Sequence, residues 1–547
     1  MRGVRPARRW WFLVGLVAVL ALSACGGGGQ EAAPPPPAGS TGAASTGGGA
    51  APPPPAETGA AAGQPQLGGD LVIARVADST SMDKTTVFDN ESIWVFQQIM
   101  ESLYAVSPDG KTVIPWLAES YDLSADQLVW TFHLRQGVKF SNGQEMTSAD
   151  VKFSLEEASA VKGGWEWINT AIKTIETPDP ATVVITTKFK WAPLLADLAL
   201  FSNAIIPNNY AGDTKDEFYT HPMGTGPFVW DHWTKGQDLK LVKNPDYWQA
   251  GKPYLDSITW TVVGDDNTRI LQLKGGQIQI NEFPPFSAID SLKATPGVVM
   301  TLFPSTRTDY LVMNHNKKPL DDVHVRRAIA LAVDREAIIK ATLFGYGQPA
   351  NSFMPPQVPY YDPNSPGLQF DLDAAKKEMA ASSVPDGFKL EFLAGSGDVV
   401  SESVAEILQQ SLKPLGIDVT IKKLDTTTQF AETQKLNYEM TNTYWTMDIA
   451  DPDELVSFSA DPAAGAHSFF TDWKNPKAIK ETHEAEKTFD TAKRQALYSD
   501  IQKIAAEDSF MLFLYYSPYR YAYSDKVQGF HVTPMANYHA EDIWLKQ

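Results

Sequence analysis

Acidic side chains crowd one short stretch of this 547-residue sequence: "YWTMDIADPDEL" places Asp448, Asp451, Asp453 and Glu454 within seven positions, beside Tyr444 and Trp445. Carboxylates at that density hold a metal, work as an acid/base pair, face a cationic ligand, or simply meet water. The spacing lacks the glycine and the distal glutamate of a calcium loop. Asp-Pro-Asp after Ile-Ala reads as a turn and helix start, with Asp451 or Asp453 capping. Glycoside hydrolysis needs only two carboxylates at the right separation, so a secreted acid-pair hydrolase stays open as an alternative.

Other catalytic patterns are missing. The chain has no Gly-x-Ser-x-Gly elbow, no His-Glu-x-x-His and neither of the glycine-rich phosphate or dinucleotide loops. Its nine histidines are scattered; His315 and His324, near Asp321 and Asp322, come nearest to a metal arrangement and read better as polar residues around a helix start. Cys25 is the sole cysteine, which excludes an intramolecular disulfide and a cysteine metal site. No catalytic residue, metal or cofactor is expected.

The elements that must position the acidic stretch mix strands and helices. "LVIARV" (71–76) opens the folded body as a strand, and "LVWTFHL" (128–134) alternates Leu128, Trp130, Phe132 and Leu134 as a half-buried strand does. Thr147 followed by Asp150 can cap a helix carrying Val151, Phe153 and Leu155. "ATVVITTKF" (181–189) is a further β-branched strand. From 388 to 424 a strand, a helix ended at Gly416 and a second strand form one unit. A helix over 492–508 puts Leu497, Ile501, Ile504 and Ala505 on one stripe, and the apolar "SFMLFLYYS" after it reads as a buried strand returning through the molecule.

The N-terminus addresses the chain for export. "MRGVRPARRWWFLVGLVAVLALSAC" has four arginines, an apolar run from Trp10 to Leu22 and small residues before Cys25. That run is short for a membrane span of about 20 residues. "LSAC" resembles the lipobox of bacterial lipoproteins, which implies a diacylglyceryl anchor on Cys25; "RRWWFL" is only a loose match to a twin-arginine signal. Gly, Pro, Ala, Ser and Thr then dominate up to about Gln66, with two runs of four prolines, the composition of a disordered tether. Formal charge is −19, and −23 for side chains from Cys25 onward, since the four upstream arginines are lost. Such acidity excludes a nucleic-acid binder and mildly favours cationic or amine-bearing ligands. With 43% hydrophobic residues the chain can bury a core large enough for two or more lobes.

Several blocks, in order, resemble one family, the extracytoplasmic solute-binding proteins of ABC importers for oligopeptides, dipeptides and nickel, solute-binding family 5. They are "IMESLYAVSPDGKTVIPWLAESYDLSADQLVWTFHLRQGVKFSNGQEMTSADVKFSLEE" (99–157), "GTGPF" (224–228), "NPDYW" (244–248), "PLDDVHVRRAIALAVDREAII" (319–339) and Arg-x-Ala-Leu-Tyr-x-x-Ile-Gln from Arg494 to Gln502. The resemblance implies an α/β fold of the type II periplasmic-binding-protein kind, two lobes joined by a hinge with an enlarged first lobe and the ligand between them. Residues 1–24 would be the lipoprotein signal peptide, 25–67 the tether, 68–312 plus 518–547 lobe I, and 313–517 lobe II.

What it implies for function is a lipid-anchored receptor, not an enzyme, that captures peptides and delivers them to a permease with its ATPase. The chain would be a monomer, exported to the outer face of the cytoplasmic membrane, with no nucleic-acid partner. In the family's peptide binders a Trp-x-x-Asp segment supplies the aspartate that pairs with the ligand's ammonium group; Trp445 and Asp448 fall on it, and Tyr444 stands where relatives often have glycine. Ligand binding is therefore expected at Asp448, Trp445 and Tyr444, with Trp165 and Trp167 as further candidates. "SMDK" (81–84) departs from the family's Leu-Asp-Pro, and no residue matches a partner for a peptide's carboxylate. The same receptor role for an oligosaccharide or other solute is the alternative; for nickel, a histidine or chelate site would be needed.

Overall fold

The computed structural model describes residues 64–547; the signal segment, Cys25 and all but the last positions of the tether lie outside the described residues. Two large mixed sheets organise the chain. The first has seven strands, ordered Val298–Phe303, Tyr519–Ser524, Ile280–Glu282, Asp70–Arg75, Ser257–Val262, Asp238–Lys243 and Phe228–Thr234. Asp70–Arg75 runs parallel to both of its neighbours, and its Leu71 and Ile73 are buried, as the apolar "LVIARV" requires. The second has six, ordered Gln348–Pro349, Met511–Tyr516, Thr308–Met313, Met440–Trp445, Phe388–Gly395 and Ile417–Leu424.

The strand-helix-strand unit forms as the pattern predicts. Phe388–Gly395 pairs in parallel with Ile417–Leu424, and helix Val399–Leu412 is the crossover that parallel neighbours need. Gly416 closes it at φ +73°, with Asp386 and Gly387 so near that a side chain would collide with them. Met511–Tyr516 is buried at all six positions because strands lie on both of its edges and side chains pack on both of its faces, which is why its sequence does not alternate.

A four-stranded antiparallel sheet, Ala118–Leu123, Val129–Leu134, Thr182–Thr187 and Ile172–Asp179, enlarges the first half of the chain. Trp130, Phe132 and Leu134 fill its own core, on the alternation seen in the sequence. Helix Ser148–Ala160 packs beside it and starts with the expected capping box of Thr147 and Asp150.

Three of the sequence blocks meet on one buried carboxyl. Glu101 accepts hydrogen bonds from Trp116 Nε1 (2.7 Å), Thr225 Oγ1 (2.7 Å), Tyr247 OH (2.8 Å) and Trp248 Nε1 (3.0 Å). Burial pushes its pKa up to about 7, against the pull of these donors. Gly224 and Gly226 press on the backbone of Gln98 to Met100; a Cβ at Gly224 would stand 2.2 Å from the Ile99 carbonyl oxygen. "GTGPF" and "NPDYW" are thus the two sides of one tight joint. Lys84 of "SMDK" is likewise interior, donating to the Ser202 carbonyl (2.7 Å) and paired with Glu157 at 3.3 Å.

The chain passes between the large sheets twice: from Phe303 to Thr308 and from Tyr516 to Tyr519. The passages lie side by side. Ser305 Oγ donates to the Ser517 carbonyl, and Thr308 pairs with Tyr516. Two adjacent strands of chain joining two stiff sheets are what a hinge requires.

Candidate ligand-binding cleft

Strand Met440–Trp445 delivers the acidic stretch to the junction of the two sheets. Successive side chains of a strand point to opposite faces, so Tyr444 and Trp445 part company. The Trp445 ring packs on Phe458 (5.3 Å) and edge-on to Phe469 (4.8 Å), inside the second half's core. Its Nε1 donates to Glu454 Oε1 at 3.3 Å. Beyond the strand, the Met447 amide donates to Thr306 Oγ1 (3.0 Å), which ties the turn to the first passage.

Glu454 fixes the turn from below. It sits on helix Asp453–Ala460, is 2% exposed, and its Oε2 accepts the amides of Asp448 (2.8 Å) and Ile449 (3.2 Å). With the backbone so held, the Asp448 carboxyl is partly exposed yet walled by protein, close enough to Tyr519 of the first sheet to act on its hydroxyl. Among the described residues no cation pairs with Asp448. Burial pushes its pKa up to about 7, opposed by a hydrogen bond with the Glu454 carboxyl; burial and then the Asp448 charge likewise hold Glu454 well above the usual carboxylate range.

Asp451 and Asp453 do different work. Asp451 takes a bidentate ion pair from Arg494, at 2.7 and 2.9 Å, and accepts the Asp453 amide at 3.0 Å. Pro452 occupies the N-cap position, and the capping hydrogen bond comes from Asp451 one position upstream, which accepts the first amide of the helix. Arg494 also explains why helix Thr491–Asp508 buries Arg494, Tyr498, Ile501 and Gln502 while Leu497 is only partly covered: the guanidinium has a carboxylate to reach inside.

Tyr444 lies on the junction side. The Arg307 guanidinium stacks 3.9 Å from its ring centre and donates to Asp309 from Nε (2.9 Å) and Nη2 (2.7 Å). Arg307, Asp309, Tyr519 and the nearby Arg520 were invisible to spacing arguments: they come from both passages, more than 200 residues apart in sequence, and only "RTD" at 307–309 hinted at a charged pair. Trp165 is core, donating to the Val87 carbonyl and packed on Phe88 and Phe201. Trp167 reaches the second half instead, edge-on to Phe458 at 5.1 Å.

The two histidines do not converge. His315 is bonded to the Phe510 carbonyl, with its pKa pushed down by burial to about 4, and His324 pairs with Glu378 at 2.7 Å. Among the described residues no three histidine, aspartate or glutamate side chains are placed to share a metal ion, and no helix is long and apolar enough to cross a membrane. Nor does the acid pair suit a glycosidase, whose carboxyls stand about 5 Å or more apart. Asp448 and Glu454 are in hydrogen-bonding contact, and both Glu454 oxygens are already engaged.

The model of the bacterial extracellular solute-binding proteins, family 5, middle region, matches residues 112–466. The chain is 30% identical over 489 residues to the glutathione-binding protein of Pectobacterium atrosepticum, covering 87% of this chain and 94% of that one. It is 31% identical over 480 residues to a probable D,D-dipeptide-binding periplasmic protein of Escherichia coli, covering 85% and 92%. Its fold matches the ABC transporter-associated periplasmic binding protein of Helicobacter pylori, solved in complex with the peptide STSA, at a TM-score of 0.77 with 30% identity, over 88% of this chain and 99% of the other.

Proposed function

This chain belongs to family 5 of the bacterial extracellular solute-binding proteins, and from that membership we propose that it captures short peptides by their free amine at Asp448 and hands them to an ABC permease and its ATPase for import. The observation that carries the peptide reading is the Asp448 carboxyl, fixed by its own backbone at the junction of the sheets and without a cation partner among the described residues. A carboxylate in a site that closes gains strongly from an enclosed ammonium group, because the low dielectric magnifies their attraction. The names of the relatives, which bind glutathione, a dipeptide and the peptide STSA, fit a ligand of this chemistry.

The two lobes, one around each large sheet, would turn about the paired passages and enclose the ligand between Tyr444, Asp448 and the first sheet. Cys25 would carry the lipid anchor and the proline-rich tether would hold the body off the membrane. Mass spectrometry of the mature protein tests the anchor: an unmodified N-terminal residue removes it.

Thermal unfolding against matched peptides tests the ligand. Free-amine peptides are expected to raise the melting temperature, N-acetylated ones are not, and Asp448→Asn is expected to abolish the difference. Equal stabilisation by acetylated peptides would move the ligand to an oligosaccharide or other solute and leave Asp448 without this role.

A further inference from the structure

Two arginines flank the passages between the sheets, and the structure treats them differently. Arg307 stands one residue before strand Thr308–Met313 and gives its guanidinium to Asp309, so its charge is cancelled locally. Arg520 is the second residue of strand Tyr519–Ser524. Its Nε donates to the Pro284 carbonyl at 2.9 Å, and its guanidinium lies 3.8 Å from the ring centre of Phe286 and 5.9 Å from that of Phe283. Among the described residues no carboxylate pairs with it, and neither of its terminal nitrogens donates. The acids whose charges reach it, Asp266 and Asp309, are already paired with Arg269 and Arg307.

This arginine sits at the junction of the two large sheets. Phe286, on which it stacks, packs against the apolar clusters of both sheets, so Arg520 is held at the junction and not on a lobe's outer surface. Tyr519, its neighbour in the strand, is within electrostatic reach of both Asp448 and Arg307. A guanidinium flanked by aromatic faces and beside a second cation is costly unless an anion joins it. Burial, and next the like charge of Arg307, push its pKa down to about 9.

We propose that Arg520 is an anion subsite of the cleft, receiving a carboxylate of the ligand on the far side of Tyr519 from Asp448. The stack on Phe286 fixes the plane of the guanidinium, and the two free terminal nitrogens present the fork that a carboxylate accepts bidentately. The pairing with an ammonium at Asp448 rests on the peptide reading; the anion subsite rests on Arg520 alone. Together they select a zwitterion, a peptide with both ends free or with an acidic side chain, over a neutral sugar.

The test uses the full chain, unfolded and refolded to strip carried ligand, with Ala-Ala-Ala, its C-terminal amide and succinate as probes. Wild type is expected to bind the free acid about ten-fold or more tighter than the amide. Arg520→Gln should bind both at the amide's affinity, and Arg520→Lys should keep part of the preference. Equal affinity of wild type for acid and amide overturns the subsite, with no variant needed, and leaves the amine reading standing. If neither peptide binds but succinate raises the melting temperature of wild type and not of Arg520→Gln, the subsite stands and the peptide reading falls. If neither peptide binds and succinate has no effect, both fall.

Discussion

Asp448 and Asp451 lie three residues apart on one turn and have opposite fates. Asp451 is buried with a bidentate arginine, whose guanidinium is held further by the Ala485 carbonyl and the Tyr498 hydroxyl. Asp448 is left with a second carboxyl at its back and, among the described residues, no cation in front. A protein gains nothing in stability from placing two acids together in a walled site, since burial alone disfavours their charge. The contrast separates a carboxylate that holds the fold from one that awaits something outside the chain. Acid density in the sequence could not make that separation; the location of the arginine could.

The largest effect should come from breaking the satisfied member. Arg494→Met strands Asp451 beside the buried Asp453 and Asp197, and is expected to cost about 3–5 kcal/mol, read as a lowered midpoint of chemical denaturation. The folded protein should still distinguish free from acetylated amines. Asp448→Asn should invert this pattern: unchanged or higher stability without ligand, and a loss of about 2–5 kcal/mol in affinity for free-amine peptides by calorimetry. A destabilised Asp448→Asn protein would place Asp448 with the structural acids and end the comparison.

Acidity sharpens the contrast without a mutation. The pKa of Asp448 in the folded chain, about 7, lies above its ordinary value of 3.8, so between those limits the folded state holds a proton that the unfolded state has released. Its contribution to stability is therefore present at low pH, declines as pH rises through that window, and levels off above about 7. Affinity for an ammonium ligand should run the other way, rising with pH by up to about ten-fold per unit until Asp448 is ionised. Denaturation midpoints and peptide affinities across pH 4–8, wild type against Asp448→Asn, show both slopes or refute them. The smallest change expected is for Tyr444→Phe, which keeps the ring under Arg307; affinity should move by no more than about 0.5 kcal/mol.

Much of the fold was legible because it follows local rules. The alternation at 128–134, the capping box at Thr147, the glycine stop at 416 and the apolar strand at 511–516 each appear where the residues demand. The helical stripe over 492–508 holds, with Leu497 at its partly covered edge, but an apolar count cannot foresee that Arg494 and Gln502 are interior as well. In the site, the acidic stretch was visible as a cluster, and Asp448 through its likeness to a family motif. Arg307 and Arg520 were not, because their meeting depends on two passages between sheets that no short window contains.

Strand Tyr519–Ser524 is bonded on one edge to Val298–Phe303 and on the other to Ile280–Glu282. Residues near the end of the chain thus occupy a slot inside a sheet begun at Asp70. During synthesis that slot stays empty until residues 519–524 have emerged, after every strand of the second sheet, and the first half cannot complete its hydrogen-bonded ladder however early its other strands are made. Of the two large sheets, the one that begins first along the chain is thus the one completed last.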